Sequence, residues 1–516
     1  MNVLMPDLLH VLEHWRPFTA LVIGDFMLDQ LVYGDAERLS PDAPVPVLAV
    51  RRTESRAGGA ANVCLDLAAM RARVFAMGVT GDDPEGGMLR EALQQAGMDA
   101  SGLLTDHARP TTLKRSLIGL AQHRHPQKMF RMDLESREPL SPAMTDALLA
   151  RVRDALDRID VVCLEDYGKG VCSESLCRGV IELCLSAGKP VLVDPALRED
   201  YARYAGATAI TPNRNEAELA AASLGASPEP PSLDSGADQA EALASAWADI
   251  GSRLLRAHRF GAVVLTLDRH GAMLVRPDQP PVRLPTVARK VYDVTGAGDM
   301  VLAALAAAIA NGADWPDAVR FANAAAGLEV EVFGVEPIPL ERIHHAILLD
   351  HGRLRGKVRT LPQAVIEAAA HRREGRSIVF TNGVFDLLHA GHIALLRHAA
   401  RQGDTLFVGV NSDASVRRLK GPGRPVHNER DRAEILSELE SVAAVIIFDE
   451  DTPMRLIEAL RPDVLVKGGE YEPARVVGGP FVESYGGRVD LAPMLEGRST
   501  TAAIARAREG APGAAV

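Results

Sequence analysis

Two successive series of short apolar runs, alternating with helical patterns, constrain this chain more than any other feature. From Ala20 to about Val335 the runs are ALVIG (20–24), VVCLE (161–165), VLVDP (191–195), TAIT (208–211) and AVVLTL (262–267). Runs with no alternating polar face are what strands covered on both sides require, and strand–helix–strand order makes them parallel. Near Pro337 this rhythm stops. ERIHHAILLDHGRLRGKVRT is charged and histidine-rich, and LPQAVIEAAAHRREG reads as one helix. A second, shorter series then starts afresh with SIVFT (377–381), TLFVGV (405–410), AAVIIF (443–448) and DVLVKG (463–468). The expectation is an α/β chain with a first domain over 1–340, a linker over 341–373 and a smaller α/β domain over 374–516. SLGASPEPPSLDSGADQ (223–239) reads as a surface loop or insertion within the first, and REGAPGAAV as a small, polar tail.

Composition excludes several classes. With 47% hydrophobic and 24% charged residues, the chain is neither disordered nor collagen-like nor a coiled coil. A net charge of −11 gives no electrostatic reason to bind nucleic acid or an anionic membrane. The uncharged run Met300 to Ala313 is shorter than the roughly 18–20 residues of a membrane span, so it reads as a buried helix. The cysteines Cys64, Cys163, Cys172, Cys177 and Cys184 form no C-x-x-C pair and have no histidines at zinc-finger spacing, which makes them reduced core thiols. No basic stretch precedes the first apolar residues, as a secretory signal would need. A cytoplasmic protein without nucleic-acid or membrane partners is expected.

In DVTGAGDMVLAALAAAIANG, Gly296, Ala297 and Gly298 precede Asp299 and an Ala-rich helix. Small residues let backbone N–H groups approach a phosphate at a helix N-terminus, where the dipole is positive. Asp299 there can accept the proton of an attacking hydroxyl, or merely cap the helix. Upstream lie Gly24-Asp25, Gly58-Gly59-Ala60-Ala61-Asn62 and Asn213-Arg214-Asn215-Glu216. These four motifs in this order resemble the ribokinase-like sugar kinases over roughly 18–335. The resemblance implies a ribokinase-like α/β sandwich with Asp299 as base. It implies sugar contacts from Asp25, Gly58, Gly59 and Asn62, and Mg-ATP organised by Asn213 to Glu216 and the Gly296–Gly298 turn. Glu216 lies near the magnesium that ATP carries, and no protein-only metal site is expected. A monovalent cation in this half is also implied. Asn323 in FANAAAG either lines the adenine pocket or is a buried helix asparagine.

The second series opens with TNGVFDLLHAGH, in which His389 and His392 stand three apart beside a helix start. That spacing puts two imidazoles near the dipole that attracts phosphate. Thr381, Asn382, Gly383 and Phe385 belong to the same element, which resembles the H-x-G-H signature of the α/β nucleotidyltransferases over roughly 376–506. Asp413, the RRLKG segment ending in Lys420 and Gly421, Lys467-Gly468 and Ser499-Thr500-Thr501 extend the likeness. It implies a Rossmann-like fold, triphosphate contacts from Thr381, His389 and His392, charge neutralisation by Lys420, and β/γ-phosphate contacts from Ser499 to Thr501. Arg432 matches the arginine of an acid-x-Arg pattern, but Arg430 occupies the acid's place. Arg417 and Arg418 read as a solvated helix face.

The pair, fused in this order, resembles the bifunctional heptose kinase and adenylyltransferase family of ADP-heptose synthesis over nearly the whole chain, with RLSPDAPVPVLAV as a narrower likeness. In that family the first site phosphorylates D-glycero-β-D-manno-heptose 7-phosphate at C1 with ATP. A separate phosphatase then removes the 7-phosphate, and the second site joins heptose 1-phosphate to AMP. A homodimer through an added β lid is implied as well. Lys114, Arg115, Arg124, Lys128 and Arg131 cluster in one stretch, which reads either as a sugar-phosphate contact or as a strand edge protected by positive charge. Asp166 and Lys169 in LEDYGKG match the family, whereas Ala196 follows Asp194-Pro195 where the family has lysine. That departure leaves the sugar and its phosphorylation state open, and with them a reading in which the first half only senses sugar.

Overall fold

The computed structural model describes residues 8, 11–12, 14–120, 127–225, 237–286, 295–332, 336–350, 357–373, 375–468 and 476–493. The chain divides into two compact units, Met1–Ile343 and His344–Val516.

The first unit is built on nine strands. These are β1 (Phe18–Gly24), β4 (Ala72–Thr80), β5 (Asp99–Thr105), β8 (Val161–Glu165), β9 (Val191–Asp194), β10 (Ala209–Ile210), β11 (Val263–Thr266), β12 (Ala272–Val275) and β13 (Val282–Leu284), in the spatial order β13-β12-β11-β10-β9-β8-β1-β4-β5. From β11 through β5 the pairings are parallel, and β12 and β13 add an antiparallel edge. Every residue of β8 is buried, as a strand covered by helices on both faces requires. The apolar run near 300 forms the helix Ala297–Ala310, buried from Asp299 to Ala308, and no helix among the described residues is long and apolar enough to cross a membrane. Its alanines allow close packing against the helix Ala60–Ala69. The five cysteines are free and buried.

A separate four-stranded sheet, in the order β3-β2-β6-β7, comes from β2 (Phe26–Leu39), β3 (Pro46–Gly59), β6 (Thr112–Leu120) and β7 (Gln127–Leu134). All of β7 is exposed, including Phe130 and Leu134.

The second unit holds six parallel strands, β14 (Val358–Arg359), β15 (Ile378–Gly383), β16 (Thr405–Asn411), β17 (Ala444–Phe448), β18 (Val464–Gly468) and β19 (Arg488–Ala492), ordered β14-β17-β16-β15-β18-β19. Ile378 and Phe380 join one apolar cluster and Val379 the other, the period-two alternation of a strand with a core on each face. Phe380 and Phe407 are fully buried, each contributing on the order of 2–3 kcal/mol by area. The stretch read from sequence as the end of a linker contributes to this unit. Val358 and Arg359 pair with β17, and Ala364 and Ala368 of the helix Leu361–Arg373 lie in its core. The pattern of that helix is weakly amphipathic, with alanine where a bulkier core residue would have advertised burial.

Candidate active sites

Each unit gathers its polar residues at the carboxyl ends of parallel strands, where loops leave a crevice beside helix N-termini. In the first unit β1 ends beside Asp25, β8 ends at Glu165 before Asp166, and β9 ends at Asp194. The Asp25 N–H donates to the Glu165 carbonyl, and the Asp166 N–H to the Asp194 carbonyl, both at 3.1 Å. The Asp25 carboxylate accepts from the backbone N–H groups of Tyr167 (2.9 Å), Lys169 (2.9 Å) and Val171 (3.1 Å), so it shapes the loop after β8. Burial pushes its acid up to about 6, with the Asp166 charge adding and the three N–H donors opposing.

Asp299 lies in the first turn of its helix, 3% exposed. Gly296 precedes it at φ 92°, and no side chain among the described residues caps the turn, which leaves a helix N-terminus able to receive an anion. Tyr167 Oη donates to Asp299 Oδ1 at 2.7 Å, and Asn62 Nδ2 to Oδ2 at 2.8 Å. Burial pushes Asp299 up to about 6, and the Tyr167 and Asn62 donors restrain the rise. Such a carboxylate is ionised at neutral pH yet basic enough to take a proton. Asn62 is delivered by the helix that begins after Gly59, at φ 61°, where a Cβ would stand 2.5 Å from the Asp25 carbonyl oxygen. A Cβ at Gly58 would meet Asp29 Oδ2 at 2.2 Å.

The other residues singled out from the sequence fall around this centre in different ways. Lys114 Nζ stands 4.9 Å from the centre of the Tyr167 ring. Arg131 pairs with Asp133 on exposed β7 (2.5 Å), and Arg115 donates to Gln30 Oε1 (2.5 Å). Lys169 is paired with Glu135. Asp166 accepts from Tyr204 Oη (2.5 Å) and the Gly168 N–H (2.7 Å), with Arg198 at 3.6 Å. Asn213 and Glu216 form a reciprocal capping box at the start of the helix Arg214–Ala222 (3.0 and 2.8 Å), and Arg214 lies 3.9 Å from Asp268. Asn215 is exposed. Asn323 donates to the Leu284 carbonyl at 3.0 Å, tying its helix to β13. Arg124 lies outside the described residues.

In the second unit His389 is the N-cap of the helix Ala390–Ala400, and its Nδ1 accepts from the Gly391 N–H at 3.2 Å. That bond places the ring proton on Nε2, making it a donor. The His389 and His392 rings stack with centroids 3.9 Å apart, and Phe385 packs 5.2 Å from His392. Burial, with the neighbouring His389, pushes His392 down to about 4, so it is neutral. Lys467 donates to Asn382 Oδ1 at 2.7 Å, and burial lowers it to about 8. Thr381 Oγ1 is buried without a hydrogen-bond partner among the described residues. Gly383 ends β15 and Gly468 ends β18. Lys420 is exposed at the end of the helix Asp413–Lys420. Arg432 is buried and donates to the carbonyls of His427 (3.0 Å) and Val384 (2.6 Å) and to Asp413 Oδ1 (2.7 Å). The acid absent at Arg430 has a neighbour in Glu429, whose Oε2 accepts from the Asp413 N–H at 2.7 Å. A cleft of about 800 Å³ is lined by Asp413, Arg417, Glu429 and Arg430 among others. Arg418 is exposed and paired with Asp451 (2.8 Å). Ser499, Thr500 and Thr501 lie outside the described residues.

Sequence reasoning passed over Tyr167, Arg198, Glu165 and Asp386. The first three flank or follow recognised motif residues but reach the site only through tertiary geometry. Arg198 Nη2 and Ala196 Cβ stand 3.9 and 3.8 Å from the position a Gly168 Cβ would take, so a guanidinium lies in the neighbourhood of Ala196. Asp386 was visible in TNGVFD. Although burial raises its acid, Arg424 and the N–H groups of Val426 and His427 hold it below the usual carboxylate range.

Residues 19–341 match the model of the pfkB family carbohydrate kinases, and 380–479 the cytidylyltransferase-like model. The bifunctional protein HldE of Geobacter metallireducens is 43% identical over 488 residues, covering 95% of either chain. That of Mesorhizobium japonicum is 43% identical over 508 residues, covering 98% of either. Among solved structures, Arabidopsis thaliana ribokinase complexed with ribose and ATP aligns at a TM-score of 0.47 with 20% identity, over 64% of this chain and 99% of that one.

Proposed function

This chain belongs to the bifunctional HldE family, a pfkB carbohydrate kinase joined to a cytidylyltransferase-like domain, and on that premise we propose the following division of labour. Residues 1–340 phosphorylate D-glycero-β-D-manno-heptose 7-phosphate at C1. Residues 374–516 transfer AMP from ATP to heptose 1-phosphate, giving ADP-heptose and pyrophosphate. The observation that carries the first assignment is Asp299, a buried base held by Tyr167 and Asn62 at an uncapped helix N-terminus.

Asp299 takes the proton of the C1 hydroxyl, the oxygen attacks the γ-phosphorus, and the bond to the β-phosphate oxygen breaks to release ADP. N–H groups at Gly296, Ala297 and Gly298 receive the developing phosphoryl charge. Glu216, a hard carboxylate whose acid burial raises, would be placed to hold the divalent metal accompanying ATP, which would neutralise phosphate charge when bound. Asp25, Gly59, Asn62 and Lys114 are assigned to the sugar, with Arg198 standing in for the missing lysine near its phosphate.

In the second unit an oxygen of heptose 1-phosphate attacks the α-phosphorus, and the α–β bridge breaks. This nucleophile is already anionic, so no base is needed. His389, His392 and Thr381 donate to the triphosphate, Lys420 and Lys467 offset its charge, and Ser499 to Thr501 are assigned to the leaving pyrophosphate by family resemblance. Arg432 positions the loop after β15 through the Val384 carbonyl.

A homodimer through the four-stranded sheet is favoured by exposed Phe130 (64%), Leu134 (52%) and Val50 (58%) on that layer. The protein acts in the cytoplasm, with a separate phosphatase between the steps. The test is incubation with Mg-ATP and the heptose 7-phosphate, with the product identified by mass and phosphorus NMR. A 1,7-bisphosphate is expected. No turnover, with heptose 1-phosphate still adenylylated, would leave the first half a sugar sensor.

A further inference from the structure

The segment after β9 carries a guanidinium whose hydrogen-bonding capacity the fold does not use. Arg198 has a side chain 31% exposed, and its Nε is buried 3.6 Å from Asp166 Oδ2 with no hydrogen-bond partner among the described residues. Asp166 is already fully engaged: Oδ1 accepts from the Gly168 N–H at 2.7 Å and Oδ2 from Tyr204 Oη at 2.5 Å. Arg203 stands 3.9 Å from the same Oδ2 and donates to the Cys172 carbonyl at 2.8 Å. One carboxylate therefore faces two arginines, which leaves a positive surplus beside it. The far end of the Arg198 guanidinium borders open space. A Cβ at Gly168 would find only Ala196 Cβ, at 3.8 Å, and Arg198 Nη2, at 3.9 Å, within 4 Å among the described residues, so glycine at 168 and alanine at 196 leave room that larger side chains would fill. Tyr167 links this place to the chemistry, since its hydroxyl donates to Asp299 at 2.7 Å and its backbone adjoins Gly168. Cation and base thus stand about one tyrosine side chain apart, comparable to the span of a sugar from end to end. The strand ends between them carry Asp25, Glu165 and Asp194, which repel a phosphate from the floor. Other cations nearby are engaged, Lys169 with Glu135 and Lys114 over the Tyr167 ring.

We propose that Arg198 is the specificity-determining contact by which the first unit selects a sugar carrying a phosphate at the end opposite the attacking hydroxyl. A planar guanidinium offers paired N–H donors to two phosphate oxygens, and the acids of the floor turn that end of the sugar away from Asp299. A sugar without the phosphate gains nothing from Arg198. The inference rests on the kinase reading and deepens it by naming the group on the sugar that the site recognises. It concerns binding rather than phosphoryl transfer.

The experiment is titration calorimetry on the full chain without ATP, comparing the heptose 7-phosphate with the unphosphorylated heptose on wild type and Arg198→Ala. The wild type is expected to bind the phosphorylated sugar about tenfold or more tightly than the plain one, and the variant to bind the two within about threefold of each other. With Mg-ATP, KM for the heptose 7-phosphate should rise about tenfold in the variant while KM for ATP stays within about twofold. Retained pyrophosphate release by the second unit and an unchanged circular dichroism spectrum certify the variant's fold. If Arg198→Ala does not fold, Arg198→Met, which keeps the apolar stem, takes its place with the same expectation. A preference that survives loss of the guanidinium, or a wild type that shows none, overturns the proposal, as does a variant whose KM rises for ATP and not for the sugar. Binding that depends on Arg198 in a protein that phosphorylates no sugar would sink the kinase reading and leave this one standing. Turnover of the heptose 7-phosphate with equal binding by wild type and variant would do the reverse.

Discussion

The two sites occupy equivalent places in their sheets, yet burial tunes them in opposite chemical directions. At the end of β1, β8 and β9 it acts on acids, pushing Asp25 and Asp299 up to about 6. Beyond β15 and β18 it acts on bases, pushing His392 down to about 4 and Lys467 to about 8. The physical cause is the same, the cost of holding a charge away from water. An acid so treated becomes a usable base, and an imidazole so treated becomes a neutral hydrogen-bond donor. Sugar phosphorylation begins with a hydroxyl proton that must be removed, whereas adenylyl transfer begins with a phosphate that is already an anion. The composition of each floor follows from that difference.

The largest expected effect is on the acidic side. Asp299→Asn should lower the phosphorylation rate by ~10³-fold or more, read as ADP release with the heptose 7-phosphate. The same variant should be more stable than wild type. Asp299 is raised on folding, so its ionisation opposes the fold as pH climbs from the unfolded value near 4 through about 6, and the cost is complete above that. Removing the charge should therefore stabilise the fold more at pH 7.5 than at pH 4.5, by on the order of 1–3 kcal/mol, read as a larger gain in Tm at the higher pH. A Tm gain that is the same at both pH values would detach the shift from Asp299.

Next comes the basic side. His392→Ala should slow pyrophosphate release by ~10²-fold, measured with heptose 1-phosphate and ATP. Tyr167→Phe sharpens the contrast within the kinase floor. Losing the donor to Asp299 Oδ1 should cost ~10-fold in phosphorylation and move the acidic limb of the pH profile to higher pH, because that bond holds the acid down. An unmoved limb would show that Tyr167 does not act through Asp299. Smallest of all, Arg418→Ala removes an exposed pair with Asp451 and should leave both rates within about twofold.

Most of the architecture was legible because buried parallel strands have an unmistakable pattern, and because Asp299, His389 and His392 sit in local motifs whose backbone geometry the glycines reveal. The second unit's beginning was harder to see, since Ala364 and Ala368 bury too little surface to stand out from a solvated helix. Tyr167, Arg198 and Glu165 escaped notice because their roles depend on which strand ends meet. Asp299 and Asn62 lie far apart in the chain and only the pairing of helices brings them within 2.8 Å. The N-x-x-E element shows the reverse: its capping box is local and readable, and its catalytic use is not.

The claim that one chain holds two independent chemistries is tested most directly by assaying both half-reactions on single preparations of Asp299→Asn and His392→Ala. The account predicts a crossover, with Asp299→Asn silent in phosphorylation but within about twofold of wild type in adenylyl transfer, and His392→Ala the reverse. Parallel loss of both activities in either folded variant would contradict it.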